Sequence, residues 1–132
     1  MFNVDNSGAD RRKFRRYKLT LNAFYRIDAP IYVRMWYGDQ EFEAYTMDIS
    51  EGGIGLLTNL DIPVSSTLII KITLFKLDRD GKVVYFSPGE LVGEVRSKAE
   101  QDDKKNYRLS ISFVHIDSVV ATEISQFIAS SR

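Results

Sequence analysis

The residues from Asp10 to Tyr17, D-R-R-K-F-R-R-Y, are suited to holding anions. Five cations fall within six residues, and four of them are arginines. Guanidinium is a planar fork of five donors that grips phosphate bidentately and stacks on flat rings, whereas ammonium is a point charge. A second stretch, Asp48-Ile49-Ser50-Glu51-Gly52-Gly53, carries complementary chemistry. An Asp and a Ser two apart on a strand share a face. The carboxylate can accept both N–H groups of a guanine edge, while the hydroxyl donates or accepts beside it. The glycines let a ligand approach the main chain. Arginines add bidentate contact to guanine O6 and N7, stacking, and phosphate binding. Together the arm and the corner suit a guanine nucleotide with phosphates. Taken singly, each has a plainer explanation. The arm reads as a solvated tail, and the corner as a hairpin turn in which Asp48 and Ser50 hold backbone amides.

Charge is distributed to match. Net charge over the 132 residues is zero. Residues 1–20 hold six cations against two carboxylates, a local charge of +4, so the other 112 residues sum to −4. A neutral chain argues against general nucleic-acid binding, and no DNA partner is expected. Cysteine is absent, which excludes disulfides, thiolate metal sites and a cysteine nucleophile and fits a reducing, cytoplasmic location. No apolar run approaches 18 residues, so no transmembrane helix is expected, and residues 1–10 lack the apolar core of a signal peptide. His115 is the sole histidine and reads as structural. There is no nucleophile–base pair, no metal cluster and no phosphate loop, so an enzyme, a metal and a cofactor are not expected.

The elements that must position the two motifs are mostly strands. Residues 1–10 read as a loose tail. From Tyr17 to Asp28 apolar residues alternate with Thr20, Asn22, Phe24 and Arg26, a period of two. Ile31–Tyr37, β-branched and aromatic, predicts a strand that Gly38–Gln40 turns into a hairpin with Glu41–Ile49. Gly53–Thr58 follows the corner, and residues 59–66 are a loop. Leu68, Ile70, Ile72 and Leu74 alternate within Thr67–Leu77. Asp78–Gly81 reads as a plain turn, lacking the ligands of a calcium loop. Lys82–Phe86 returns, Ser87-Pro88-Gly89 predicts another turn, and Glu90–Ser97 continues. Lys98–Asn106 reads as a solvated loop and Tyr107–Val114 as a strand. Val119, Val120, Ile124, Phe127 and Ile128 recur at spacings of three and four, an amphipathic helix capped by Asp117 or Ser118. The sum is six to eight short strands and one C-terminal helix, a barrel or sandwich rather than a doubly wound sheet.

R-x-x-x-R near the N-terminus followed by D-x-S-x-x-G resembles the PilZ domain, a bacterial family that binds the second messenger cyclic di-GMP. Arg12-Lys13-Phe14-Arg15-Arg16 fits the first motif and Asp48–Gly53 the second. The resemblance implies a mostly β fold, a six-stranded antiparallel β-barrel with a C-terminal α-helix. It divides the chain into a flexible tail (1–10) and one domain (11–132), comprising an arginine-rich arm (11–18), barrel (19–114) and helix (117–130). It implies that Arg12 and Arg16 contact phosphates and guanine edges, that Asp48 and Ser50 hold a guanine, and that Gly52 and Gly53 lie at the ligand, Gly53 leaving room for it. Arg11 and Arg15 form R-x-x-x-R as well. With Arg12 and Arg16 as the motif, Arg11 takes the position before it, which in the family favours an intercalated cyclic di-GMP dimer.

The resemblance therefore predicts a cyclic di-GMP receptor whose arm changes conformation on binding and signals to a downstream protein. Two other readings remain: a PilZ-like adaptor that binds no nucleotide and acts by protein contact, and an oligonucleotide-binding small barrel. The sequence departs from the family pattern in two places. Arg16 and Asp48 lie 32 residues apart, which makes Tyr17–Asp28 an extra strand or an insertion, and Ser110 stands where the family often has glycine. The Asp78–Gly89 hairpin is elongated, a candidate partner surface.

Overall fold

The computed structural model describes residues 17–101 and 106–130. The tail and Arg11, Arg12 and Arg16 lie outside the described residues. Within them the order is β1 (Tyr17–Ala29), α1 (Ile31–Tyr37), β2 (Phe42–Ile49), β3 (Gly53–Thr58), β4 (Thr67–Leu77), β5 (Val83–Gln101), β6 (Asn106–His115) and α2 (Ser118–Ser130). The six strands close into an antiparallel barrel in the order β1-β2-β3-β6-β5-β4, with β4 returning to β1. This is the architecture that the PilZ resemblance implies, where alternation and turn spacing alone leave six to eight strands in a barrel or sandwich.

Alternation fills the barrel. Ala23, Tyr25 and Ile27 of β1 and Leu68, Ile70, Ile72 and Leu74 of β4 are buried, as are Ile54 and Leu56 of β3 and Leu109 and Ile111 of β6. Ile124, Phe127 and Ile128 bring α2 into the same core. Asp117 caps α2, accepting the Val119 N–H at 2.7 Å.

Four expectations are corrected. Ile31–Tyr37 is a helix, and β2 pairs with β1 rather than with this segment. Val33 and Tyr37, one helical turn apart, face the core, with Val33 fully buried. Pro30 caps one end without needing a donor. At the other, Gly38 takes φ +84° and its N–H reaches the Arg34 carbonyl at 2.8 Å. Ser87-Pro88-Gly89 does not turn, since β5 runs through it with Pro88 paired to Thr73. Only Val92–Gln101 of β5 pairs with β6, so Pro88 lies where one edge of β5 is unpaired among the described residues and no N–H is demanded. Lys98–Gln101 continue β5 rather than forming a loop. Tyr17–Asp28 is neither an extra strand nor an insertion, because it lies in β1, one of the six strands of the closed barrel.

Candidate functional site

Asp48 sits on β2 between Lys18 of β1 and Gly55 of β3. By simple alternation it would share the inner face with buried Ala44 and Thr46. A bulge between Thr46 and Asp48 breaks the register and rotates the strand. Ile49 then enters the core, fully buried, while Asp48 turns to the outer face beside Gly55. The carboxylate is nonetheless sheltered, its side chain only 6 % exposed, and Arg108 of β6 lies against it with Nη2 donating to Oδ2 at 2.6 Å.

Gly55 makes that meeting possible. A Cβ there would stand 2.9 Å from Asp48 Oδ1, so only glycine leaves space for the carboxylate. Neither Arg108 nor Gly55 was singled out in the sequence. Arg108 had a faint signal, an arginine two residues before Ser110 on an alternating strand. Gly55 had one in its place within the G-G-I-G run.

Ser50 lies beyond the end of β2. Its Oγ accepts the N–H groups of Gly52 at 3.2 Å and Gly53 at 3.1 Å, and its own N–H donates to the Gly53 carbonyl at 2.9 Å. It thus holds the tight turn joining β2 to β3, rather than standing beside Asp48 on a strand. The Gly52 carbonyl accepts the Phe113 N–H of β6 at 3.0 Å. The space a Cβ would take at Gly53 is filled by the Ile111 carbonyl, so Gly53 serves the close approach of β3 to β6. The exposed Glu51 side chain accepts from Ser125 Oγ of α2 at 2.5 Å, tying the turn to the C-terminal helix.

The first described residues of the chain lie at this corner. β1 begins with Tyr17 opposite Ile49 and Lys18 opposite Asp48. Arg16 immediately precedes Tyr17, so the arginine-rich segment enters the fold at the corner that carries Asp48 and Ser50. A groove of about 800 Å³ lies elsewhere, lined by Leu21, Phe24, Phe75 and Gly89 among others. Ser110 sits opposite Gly55 across β3 and β6. No described helix is long and apolar enough to cross a membrane.

The sequence model of the PilZ domain matches residues 10–130. The chain belongs to the PilZ domain family. Solved PilZ structures share its fold. The PilZ domain of YcgR from Escherichia coli, solved with c-di-GMP, superposes with a TM-score of 0.61 at 18% identity, over 91% of this chain and 90% of that one. The Bacillus subtilis inhibitor of motility MotI/DgrA gives 0.67 at 15% identity over 92% of this chain. The K. pneumonia MrkH–c-di-GMP complex gives 0.61 at 13% identity, again over 92%. This PilZ chain spans 51% of the length of each of those two, about half. Identities this low establish the fold alone. No curated protein matches the chain.

Proposed function

We propose that this PilZ domain is a bacterial, cytoplasmic receptor for cyclic di-GMP. In this reading Asp48 accepts the N1–H and N2–H groups of one guanine. Arg12 and Arg16 grip phosphates and guanine edges from the arm, and Arg11 admits a second, intercalated ligand. The observation that carries the reading is the outward-turned, sheltered Asp48 carboxylate, at the corner where the arginine segment joins the barrel. The signal passes to a downstream protein through the ordering of the arm. The turn at residues 50–53 offers a route, because it is bonded to both β6 and α2.

One observation favours the adaptor reading instead. Ser50 is bonded within its own turn and Asp48 to Arg108, so both have structural work without a ligand. Isothermal titration with cyclic di-GMP separates the two, with GTP and a linear dinucleotide as controls. The receptor reading expects a dissociation constant of about 10 μM or tighter at one or two ligands per chain. It also expects loss of the heat in Asp48→Ala and Arg16→Ala while both variants still melt cooperatively. Absence of heat in the unaltered protein would remove it and leave the adaptor.

A further inference from the structure

Helix α1 presents an apolar face to solvent. Ile31, Tyr32, Met35 and Trp36 are 70 %, 63 %, 77 % and 76 % exposed. On a helix these positions fall within a sector of about 140°, opposite Val33 and Tyr37, which already anchor α1 to the barrel. The Trp36 ring lies 6.3 Å from that of Tyr37, but all four side chains remain mostly exposed, and no other ring contact to them is seen among the described residues. We infer that this face is the contact surface of a homodimer, with α1 of one copy packed against α1 of a second across a two-fold axis.

Area is the first argument. At about 150 Å² apiece the four side chains expose on the order of 600 Å², at the upper end of the largest patch on an ordinary monomer. Buried on two copies, this reaches about 1,200 Å², the lower bound of specific interfaces. Composition agrees, since Trp, Tyr and Met are enriched at interface centres. Charge is the second argument. The face itself carries none. At its margin Arg34 Nε donates to Asp39 Oδ1 at 2.9 Å, both side chains being exposed. A donor and an acceptor side by side are self-complementary across a two-fold axis, because each can serve the other copy. The chain is neutral, so two copies meet without net repulsion.

A lipid surface fits less well. Arg34 is the sole cation of α1 and is already paired. The arginine arm joins the other end of β1, a strand of 13 residues and so roughly 40 Å long. The α1 dimer leaves the Asp48 corners at the two outer ends, and it does not depend on nucleotide binding.

Trp36 is the only tryptophan, so its fluorescence reports on this face directly. Sedimentation velocity and Trp36 emission are followed on the full chain from about 1 μM to about 1 mM. The expected result is a doubling of mass accompanied by a blue shift of emission over the same concentration range. Met35→Glu, which leaves the reporter in place, should weaken association at least tenfold with an unchanged circular dichroism melt. Trp36→Glu should do the same by mass alone. The inference is overturned by a single-chain mass at the highest concentration, or by dimerisation that survives both variants. Emission already blue-shifted at 1 μM without dimer would point to a cover from the same chain. A blue shift produced only by phosphatidylcholine vesicles would assign the face to a membrane.

Discussion

Asp48 and Arg108 are 60 residues apart in sequence, yet carboxylate Oδ2 and guanidinium Nη2 lie 2.6 Å apart. The contact reaches from β2 to β6 across β3, over the place where Gly55 lacks a side chain. The two partners differ in exposure, 6 % for the Asp48 side chain against 40 % for Arg108. The acceptor is sheltered, while the half-exposed donor has used only one of its five N–H groups on Asp48. Arg108 thus keeps donors directed to water while it bonds Asp48, and under the proposed receptor reading it would hold the carboxylate for a guanine edge.

Arg108→Ala should reveal both roles. Hydrogen bonds to charged groups contribute about 1.5–3 kcal/mol, and the exposure of Arg108 reduces its share to about 1–2 kcal/mol, readable as a lowered urea midpoint. Cyclic di-GMP should bind at least about tenfold more weakly by calorimetry, a loss of about 1.4 kcal/mol. Arg108→Lys keeps the charge without the fork and should restore only part of either. A lowered midpoint with an unchanged dissociation constant would confine Arg108 to a structural part.

Two glycines two positions apart on β3, Gly53 and Gly55, should respond differently to alanine. At Gly55 the new methyl meets the Asp48 carboxylate, and a side chain can move. Gly55→Ala should displace Asp48 from Arg108 and weaken ligand binding about tenfold or more, at a stability cost of about 1 kcal/mol. At Gly53 the methyl meets the backbone carbonyl of Ile111, which can yield only by separating β3 from β6. Gly53→Ala should cost about 2–3 kcal/mol, seen as a lower melting temperature. Similar melting temperatures for the two variants would contradict this division.

Much of this was legible in the residues. The period of two in Thr67–Leu77 put Leu68, Ile70, Ile72 and Leu74 in the core, and spacings of three and four located α2. The pairing of Lys18 with Asp48 sets the end of the 11–18 segment against the D-x-S-x-x-G corner, a proximity that the two motifs do not by themselves state. The failures have physical causes. Ile31–Tyr37 is rich in residues that favour strands, yet tertiary packing of Val33 and Tyr37 selects a helix. Its bounds, Pro30 before and Gly38 after, carry the helix-start and helix-stop asymmetry that would have identified it. The bulge before Asp48 leaves no mark in residue type, so the outward turn of Asp48 was visible only in three dimensions. The pairing with Arg108 depends on strand order, which local periodicity does not encode.

Ser50→Ala tests the turn apart from the site. Its hydroxyl satisfies two glycine N–H groups, much as a capping residue does. Loss of that acceptor should destabilise the protein by about 1–2 kcal/mol. If Ser50 acts on ligand only by shaping the turn, Ser50→Thr should recover both stability and cyclic di-GMP affinity, because it keeps the oxygen. Lost affinity at full stability in Ser50→Ala would instead assign the hydroxyl to direct ligand contact.

Tyr25 makes stability depend on alkaline pH. The residue is fully buried, its hydroxyl 2.6 Å from Thr58 Oγ1. Burial, opposed in part by the Thr58 hydrogen bond, pushes its pKa from 10.0 up to about 12. The folded protein thus holds this proton more tightly than the unfolded chain. The resulting stabilisation is fully present below pH 10 and is lost as pH rises through about 12. A gap of about two pH units corresponds to roughly 2.7 kcal/mol. Tyr25→Phe removes the titration together with the hydrogen bond. It should be less stable than the unaltered protein at pH 8 by about 1 kcal/mol, and its stability should fall less steeply between pH 10 and 12. Urea midpoints taken across that range measure the difference between the two proteins, in which the shared titrations of lysines and other tyrosines cancel. Parallel pH profiles would mean that Tyr25 reaches water before the barrel unfolds.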